Sequence, residues 1–280
     1  MEIFRTCDEF RSWSRRCHHD GKTVGFVPTM GALHAGHASL IRAARASTGA
    51  VAASIFVNPT QFGPSEDFAR YPRAFEADCA LAEREGAHVI FAPSVEEMYP
   101  AGVLTFVEVA EIGDRLDGKS RPGHFRGVAT VVAKLFIASE ADRAFFGQKD
   151  AAQVAILRRM TADLRLATEI VVCPIIRDPD GLALSSRNVY LSPAERTQAL
   201  ALSRAIHKAE ELFAAGERRT SSLISAAREI LAAEPLIRID YVELIDWSTL
   251  LPVDTVQPGS LLAIAAWVGA TRLIDNTVFA

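Results

Sequence analysis

The chain has 280 residues, of which 49% are hydrophobic and 23% are charged, a composition typical of a globular protein with one large or two smaller domains. Its formal net charge of −4 argues against a general nucleic-acid binder, which would carry a basic surface. No apolar run approaches the roughly 20 residues of a membrane span, and the N-terminus lacks the apolar segment of a signal peptide. The scattered cysteines show no metal-site or disulfide spacing, so the composition predicts a cytoplasmic protein without membrane or nucleic-acid partners.

An apolar run at Thr23–Val27 predicts a buried strand that leads into a turn rich in glycine and histidine. The turn reads Pro28-Thr29-Met30-Gly31-Ala32-Leu33-His34-Ala35-Gly36-His37 and precedes a helical pattern at Ala38–Ser47. Open α/β sheets bind ligands beyond the carboxyl ends of their strands, where a helix N-terminus offers N–H groups to phosphate oxygens. Glycines let the backbone approach a ligand, and imidazoles can donate to developing negative charge. The turn therefore predicts a site that handles nucleotide phosphates.

Strand-like runs alternate with helical patterns through the first two-thirds of the chain. This alternation predicts a Rossmann-like α/β fold with a doubly wound parallel sheet that is covered on both faces. The further predicted strands are Ala50–Val57, Ala87–Ala92, Thr105–Val109, Arg143–Phe146 and Glu169–Ile176. The helices predicted between them are Arg73–Glu85, Val128–Ser139 and Ala151–Asp163.

The pattern changes after about Asp178. Ser192 as N-cap, with proline next and a glutamate three residues on, predicts a long helix at Pro193–Ala215. A second helix and three strands spaced for antiparallel pairing follow, at Ser222–Ala233, Ile239–Ile245, Leu261–Trp267 and Arg272–Phe279. We therefore predict a catalytic domain at 1–177 and a smaller α+β domain at 178–280.

Amide side chains follow the strand after the histidine turn, in Asn58-Pro59-Thr60-Gln61-Phe62-Gly63. Asn58 and Gln61 place neutral hydrogen-bonding groups at the same sheet edge as the histidines, and such groups suit a small polyol or carboxylate. A capped turn without a binding role is the alternative. The polar stretch Gly63–Pro72 that follows is a candidate mobile lid.

Two later segments also combine glycine with basic residues. Arg121-Pro122-Gly123-His124-Phe125-Arg126-Gly127 precedes an apolar helix, and is either an anion-facing terminus or an ordinary loop with solvated arginines. In Gly147-Gln148-Lys149-Asp150, Lys149 would place a point charge on a phosphate, and Asp150 would cap the helix or hold a metal. Gln153, one turn further on, faces the same direction as Asp150.

A turn at Arg177–Gly181 leads into Leu184-Ser185-Ser186-Arg187-Asn188, which combines hydroxyl donors with a guanidinium group. Together with the imidazoles, the amides and Lys149, this set suggests adenylyl transfer, in which a substrate carboxylate attacks the α-phosphate. The chain has no Walker-type loop for γ-phosphoryl transfer, and no nucleophile–base pair stands out for covalent catalysis.

Taken together, the segments resemble the pantothenate synthetase (pantoate–β-alanine ligase) family of HIGH-motif nucleotidyltransferases. The resemblance covers essentially the whole chain, through Pro28–His37, Val57–Phe62, Arg121–Phe125, Phe146–Asp150, Asp180–Ser192 and Gly269–Asn276. It implies a ligase of pantothenate and coenzyme A biosynthesis. ATP and (R)-pantoate would give pantoyl adenylate and pyrophosphate with Mg²⁺ assisting, and β-alanine would then displace AMP. It also implies a homodimer joined through the N-terminal domain.

The resemblance further assigns roles to single residues. His34, His37, Lys149 and Arg187 would be catalytic, with His37 the proton donor, and Gln61, Gln153 and Asn58 would bind pantoate and β-alanine. Asp78 is the candidate Mg²⁺ ligand beside the ATP phosphates. The ATP site would be lined by Met30, Gly31, His34, Gly36, His37, Gly147, Gln148, Lys149, Asp150, Ile176, Leu184, Ser185, Ser186 and Arg187.

Two departures from the family pattern stand out. Ala151-Ala152 replaces a usual Tyr-Gln after Lys149-Asp150, a change expected to loosen local packing, and Leu184 replaces a common methionine of similar volume. One alternative is another HIGH-type nucleotidyltransferase, which would lack the Asn58 and Arg121 segments. The other is a non-catalytic paralogue, which loss of a histidine, Lys149 or Arg187 would indicate, and all are present.

Overall fold

A computed structural model describes residues 1–64 and 66–280. The described chain divides into two compact units. The first unit comprises Met1–Gly147 and Ile156–Pro174, and the second comprises Gln148–Ala155 and Ile175–Ala280. The predicted boundary at residue 178 did not anticipate that residues 148–155 group with the second unit.

The first unit contains a six-stranded sheet with the order β1-β4-β3-β2-β5-β6. Every described pairing in it is parallel, so the predicted doubly wound α/β sheet is confirmed. The strand order reverses beside β2, and such a reversal creates a crevice at the carboxyl ends of the strands. The strands are β1 (Glu2–Phe4), β2 (Val24–Val27), β3 (Ala50–Ser54), β4 (Val89–Phe91), β5 (Arg143–Gly147) and β6 (Glu169–Cys173).

Helices pack on the first sheet and bury its strands. All residues of β2, β3 and β4 are buried, which is why their sequences are continuously apolar rather than alternating. The rings of Phe10 and Phe91 stack with centroids 4.8 Å apart in this core. The helices are α1 (Cys7–His19), α2 (Ala35–Ser47), α3 (Phe75–Arg84), α4 (Val95–Met98), α5 (Asp117–Ser120), α6 (His124–Ser139) and α7 (Ala151–Asp163). The last of these begins in the second unit and ends in the first.

The strand predicted at Thr105–Val109 is wrong. Its alternating apolar pattern is typical of a strand, but the segment belongs to neither described sheet. The Val107 N–H instead donates to the Thr130 hydroxyl of α6 at 2.9 Å, and Leu104 and Phe106 remain 89% and 41% exposed. The sequence reading also did not identify α1, although Thr6 and Glu9 form a complete capping box at its start.

The second unit is a smaller α+β assembly, as expected. Its three strands pair in the antiparallel order β7-β8-β9. The predicted helix at Pro193–Ala215 is wrong in one respect, because it is two helices that meet at Leu200 without a glycine or proline to mark the break. Leu202, Ile206 and Leu223 are fully buried in this unit's core. Its elements are α8 (Pro193–Ala199), α9 (Ala201–Ala214), α10 (Thr220–Ala232), β7 (Ile237–Asp246), β8 (Ser260–Val268) and β9 (Thr271–Val278).

Within the described residues, no helix combines the length and the apolar character needed to cross a membrane.

Candidate active site

The histidine turn after β2 forms the N-terminus of α2, which begins at Ala35 rather than at the predicted Ala38. His34 is the N-cap, and its Nδ1 accepts the Gly36 N–H at 3.1 Å. The Nδ1 of His37 accepts the His34 N–H at 3.3 Å. The two rings lie with centroids 4.2 Å apart. The two histidines thus form a reciprocal capping box, a role usually taken by a hydroxyl residue and a glutamate.

These two bonds define the tautomer of each neutral ring. A backbone N–H can only donate, so both Nδ1 atoms accept and the hydrogen of each neutral imidazole is on Nε2. The positive end of the α2 dipole lies at the same place. His34 and His37 therefore bring two Nε2–H donors to a helix N-terminus, an arrangement suited to negative charge on a phosphate.

Asn58 caps the short 3₁₀ turn Pro59–Gln61 that follows β3. A capped turn was the alternative prediction for this segment. Asn58 is 1% exposed. Its Oδ1 accepts from the Tyr99 hydroxyl at 2.8 Å, while its Nδ2 donates to the carbonyl of Gly127 and to Gln61 Oε1 at 3.2 and 3.0 Å. Asn58 thus orients Gln61, and direct substrate contact by Asn58 stays a prediction.

Gln61 presents its amide nitrogen at the histidine turn. Its Oε1 accepts from Asn58, and its Nε2 donates to the Met30 sulfur at 3.1 Å. A thioether is a weak acceptor, so a carboxylate or hydroxyl oxygen would be a stronger partner for this NH₂ group. Met30 and Gln61, predicted as site residues from two separate turns, are therefore in direct contact.

Arg121 and His124 hold the main chain of Gln61. Arg121 forms a bidentate ion pair with Glu66, at 2.7 and 2.6 Å, and lies 2.9 Å from Nε2 of His124. Because a guanidinium only donates, His124 accepts there and donates from Nδ1 to the Gln61 carbonyl at 2.8 Å. Burial and the Arg121 charge lower the pKa of His124 to about 4. Arg121 is therefore paired within the protein rather than solvated, and the segment supports Gln61. Its role as a terminus that faces a ligand anion stays a prediction.

The predicted lid Gly63–Pro72 is tied to the first unit at several described positions, while Ser65 lies outside the described residues. Glu66 pairs with Arg121. Tyr71 is 5% exposed and its ring packs edge-on against Phe62 with centroids 5.9 Å apart. Movement of this segment stays a prediction.

Asp78, the candidate Mg²⁺ ligand, is 2% exposed on α3 and bonds to the histidine turn. Its Oδ2 accepts the Ala32 N–H at 2.9 Å and its Oδ1 the Leu33 N–H at 2.7 Å. Burial raises the pKa of this carboxyl, and the two N–H donors oppose that shift. No group of three or more His, Cys, Asp or Glu side chains in the described part of the chain is placed to hold a metal.

Gly147 ends β5 and pairs with Cys173 of β6 in the first unit. The adjoining 3₁₀ turn Gln148–Asp150 belongs to the second unit. There Lys149 Nζ lies 3.5 Å from Asp150 Oδ1. Asn276 of β9 is 3% exposed and donates to the carbonyls of Gln148 and Lys149 at 3.0 and 2.9 Å. Asn276 thus fixes the backbone that carries Lys149.

The first turn of α7 contains the departure from the family pattern. Ala151 and Ala152 are 4% and 6% exposed, and the Trp247 indole donates to the Ala151 carbonyl at 2.8 Å. The two alanines are therefore buried, and looser packing around them stays a prediction. Gln153, the predicted pantoate residue on the same turn, is half-buried.

A tight turn joins Arg177 to Ala183 through an antiparallel bridge. Gly181 lies at φ +96°, a left-handed conformation that favours glycine. Arg177 forms a bidentate ion pair with Asp275 at 2.6 and 2.9 Å, and Asp275 is 2% exposed. Arg177 therefore stabilises the turn.

The residues predicted to bind the nucleotide lie on either side of this turn. The Leu184 N–H donates to the Ile176 carbonyl at 2.9 Å, so these two residues are neighbours. Ser185 then caps a 3₁₀ turn that contains Ser186 and Arg187, and its hydroxyl accepts the Arg187 N–H at 3.2 Å.

Each unit thus assembles part of the predicted set. In the first, hydrogen bonds link the histidine turn to Gln61 and to Asp78. In the second, the adjacent residues Asp275 and Asn276 bind the Arg177 turn and the Lys149 turn respectively.

The sequence did not predict three residues that hold site residues in place. Tyr99 carries no sequence signal, because its contact with Asn58 joins segments 41 positions apart. Asp275 and Asn276 fall in the matched segment Gly269–Asn276, where a polar pair in a largely apolar strand was an available signal.

The whole chain is similar to proteins of one family. The model of the family described as pantoate-beta-alanine ligase matches residues 2–278. The pantothenate synthetase of Acidobacterium capsulatum is 62% identical over 257 residues, which are 92% of this chain and 86% of that protein. The pantothenate synthetase of Thermotoga neapolitana is 54% identical over 278 residues, 99% of each chain.

Solved structures agree with the sequence comparisons. The crystal structure of pantothenate synthetase from Thermus thermophilus superposes with a TM-score of 0.95 at 45% identity and covers 100% of both chains. The Francisella tularensis pantoate-beta-alanine ligase, complexed with beta-gamma ATP and beta-alanine, has a TM-score of 0.80 at 33% identity, over 99% of this chain and 97% of that one. The chain belongs to the pantoate–β-alanine ligase family.

Proposed function

We propose that the chain joins (R)-pantoate to β-alanine in two steps, releasing first pyrophosphate and then AMP from ATP. As a member of its family it is a ligase that forms a C–N bond. The observation that carries the two-step proposal is the pair of imidazoles that cap α2, because their Nε2–H groups suit a phosphate leaving group. The ligands of the Francisella tularensis relative support ATP and β-alanine as substrates here.

In the first step, a carboxylate oxygen of pantoate attacks the α-phosphorus of ATP. The bond from that phosphorus to the bridging oxygen breaks, and pyrophosphate leaves with the bonding electron pair. Hydrogen-bond donors and cations stabilise the charge that develops on these oxygens. We assign this role to His34, His37, Lys149 and Arg187, with His37 donating to the departing phosphate.

In the second step, the amine of β-alanine attacks the acyl carbon of pantoyl adenylate. The amide bond forms, the bond between the acyl carbon and the phosphate oxygen breaks, the amine loses a proton and AMP departs. Gln61 is the proposed contact of both small substrates, and Gln153 that of pantoate. Asn58 supports them by orienting Gln61.

The remaining predicted site residues are proposed to bind ATP. Lys149, Ser185, Ser186 and Arg187 supply cationic and hydroxyl donors for its polyphosphate. The further proposed contacts with ATP are Met30, Gly31, Gly36, Gly147, Gln148, Asp150, Ile176 and Leu184.

Magnesium enters this proposal as part of the nucleotide substrate. Phosphate oxygens and water satisfy most of the octahedral coordination that Mg²⁺ requires. The described residues contain no acidic or histidine cluster that would hold the ion by itself. We therefore propose that Mg²⁺ arrives bound to ATP.

We also propose that the chain acts in the cytoplasm as a homodimer joined through its first unit. The exposed apolar side chains of Leu104 and Phe106 support an interface on that unit, since association would remove their apolar surface from water. Sedimentation equilibrium tests the dimer, which Phe106→Glu should weaken.

The first experiment is pantoate-dependent exchange of labelled pyrophosphate into ATP in the absence of β-alanine. Exchange would support the adenylate step, and pantothenate and AMP formed on addition of β-alanine would complete the assignment. Folded protein that shows no exchange with Mg²⁺ present would point to another carboxylate substrate or to binding without catalysis.

His37→Ala tests the role of the imidazole pair. Loss of one preorganised donor to a developing charge costs about 10²- to 10³-fold in turnover, while loss of the cap costs about 1 kcal/mol of stability. We expect a loss in this range with folding retained, measured by pantothenate formation and thermal melting. His207→Ala, at an exposed histidine of α9, is the control, and a near-native rate for His37→Ala would remove it from the mechanism.

A further inference from the structure

The turn before α2 is built around an internal anion. Asp78 lies on α3, 45 positions from Leu33, yet each of its carboxylate oxygens accepts one backbone N–H of the turn, from Ala32 at 2.9 Å and Leu33 at 2.7 Å. These two amides oppose the effect of burial, which raises the pKa of Asp78. The partners of this buried carboxylate are therefore the amides of the histidine turn.

The backbone of the turn is shaped to face this carboxylate. Gly31 and Ala32 both lie in the left-handed region, at φ +85° and +51°. Successive backbone N–H groups in a turn can converge on an anion, and here the Ala32 and Leu33 N–H groups both reach the Asp78 carboxylate. A Cβ on Gly31 would lie 3.0 Å from Asp78 Oδ2 and 3.2 Å from Ile55 Cγ2. Both the backbone angle and the closeness of the carboxylate therefore favour glycine at this position.

A magnesium ligand would need a different environment. Mg²⁺ requires oxygen ligands in near-octahedral geometry and retains several waters. Asp78 is 2% exposed with both oxygens already bonded, and within the described chain it belongs to no group of three or more His, Cys, Asp or Glu side chains that could hold a metal. The arrangement does not fit a metal-ligand role.

We propose that Asp78 is a positioning residue for the imidazole pair: its carboxylate occupies the anion site of the turn 31–33 and so fixes where α2 begins and where His34 and His37 lie. This inference rests on the proposed function only where it predicts an effect of Asp78 on turnover. The residue that follows Leu33 is the N-cap His34, whose own N–H bonds to His37. A displaced turn would therefore move both rings.

The same contact determines which groups face the nucleotide. The Ala32 and Leu33 amides are already bonded to Asp78, so they do not offer their N–H groups to a second anion. ATP phosphates would then contact the imidazoles rather than these backbone amides.

Asp78→Asn tests the proposal, because it keeps the shape and replaces one acceptor oxygen with an NH₂ group that faces a backbone N–H. We expect turnover to fall about 10- to 100-fold, as for a small misplacement of reacting groups. The Mg²⁺ concentration for half-maximal activity should stay within about 2-fold of that of the unmodified protein. The control is Asp142→Asn, whose carboxylate accepts the Val24 N–H at 2.6 Å at the start of β2.

Two-bond ¹H–¹⁵N spectra of ¹⁵N-histidine protein give a readout that does not depend on activity. Signals of His34 and His37, assigned with His34→Gln and His37→Gln, should report hydrogen on Nε2 in the unmodified protein and change in Asp78→Asn, but not in Asp142→Asn. If the protein makes no pantothenate, the proposed function fails while these spectra still test the placement of the rings.

The proposal is overturned if Asp78→Asn keeps normal turnover and normal imidazole signals. It is also overturned if the Mg²⁺ requirement rises about 10-fold or more while those signals stay unchanged, because that result identifies a metal ligand.

If the variant does not fold, hydrogen exchange of the Ala32 and Leu33 amides in the unmodified protein tests the proposal instead. Protection that Mg²⁺ leaves unchanged supports the internal anion, whereas rapid exchange, or protection lost on adding Mg²⁺, contradicts it.

Discussion

The amide of Gln61 is oriented by hydrogen bonds that run through two other side chains. The Tyr99 hydroxyl donates to Asn58 Oδ1, and Asn58 Nδ2 donates to Gln61 Oε1. The Gly127 carbonyl can only accept, so it orients the NH₂ group of Asn58, and that NH₂ group in turn orients the Gln61 oxygen toward itself. Gln61 therefore presents an NH₂ donor, which matches a carboxylate or hydroxyl oxygen of the proposed pantoate substrate.

Gln61→Glu replaces this donor with a carboxylate of nearly the same shape. Loss of a hydrogen bond to a charged group costs about 1.5–3 kcal/mol, so we expect the KM for pantoate to rise about 10- to 100-fold while the KM for ATP changes little. Steady-state kinetics with each substrate varied gives both values. Gln198→Glu is the matched control, because the Gln198 oxygen accepts the Leu236 N–H and a glutamate retains that acceptor. Equal effects on both KM values would contradict the assignment.

At the level of elements, α6 and the turn Pro59–Gln61 approach each other backbone to backbone. A Cβ on Gly127 would overlap the Thr60 carbonyl and lie 2.7 Å from Gln61 Cα. Only glycine permits this approach, which also brings the Gly127 carbonyl to Asn58. The position of Gln61 therefore depends on the packing of one helix as well as on its own turn.

Gly127→Ala should push this turn away from α6. We expect about 1–3 kcal/mol lower stability from overpacking and a raised KM for pantoate, measured by urea unfolding and by kinetics. Gly113→Ala provides the comparison, because a Cβ there meets nothing within 4 Å. A Gly127→Ala protein with unchanged stability and KM would show that the turn adjusts freely.

At the level of the whole molecule, His124 links stability to pH. Its pKa is lowered from 6.5 to about 4 by burial and by Arg121, so between these values the unfolded chain binds more protons than the folded one. The free energy of unfolding therefore falls as the pH drops through this window. The stability that neutral His124 contributes is fully present above about pH 6.5. About 3 kcal/mol of it is lost as the pH falls through the pKa of the folded protein.

His124→Gln removes this titration. We expect the melting temperature of the variant to depend less steeply on pH between 6.5 and 4 than that of the unmodified protein, with His19→Gln, at an exposed histidine, as the control. Carboxylates that titrate in the same range affect all three proteins alike, so the difference isolates His124. Parallel curves for His124→Gln and the unmodified protein would contradict the prediction.

The sequence alone determined the parallel sheet and the location of the histidine turn. Continuous apolar runs such as 51–54 reflect burial on both faces of the sheet, and a glycine-rich turn between strand and helix is a local signal. The family followed from ordered local motifs in the same way. Local pattern gave a wrong prediction at Thr105–Val109, where an alternating apolar run joins neither sheet of the described chain, because strand pairing depends on distant segments.

Only the tertiary structure decided what the polar residues bond to. Asp78 meets Ala32 across 46 positions, Arg121 meets Glu66 across 55, and Asn276 meets Lys149 across 127. Such contacts leave no periodic trace, since one hydrogen bond constrains a single residue rather than a face of a helix or strand. The sequence therefore predicted the groups that we propose for the chemistry, whereas the residues that hold them in place emerged from the folded chain.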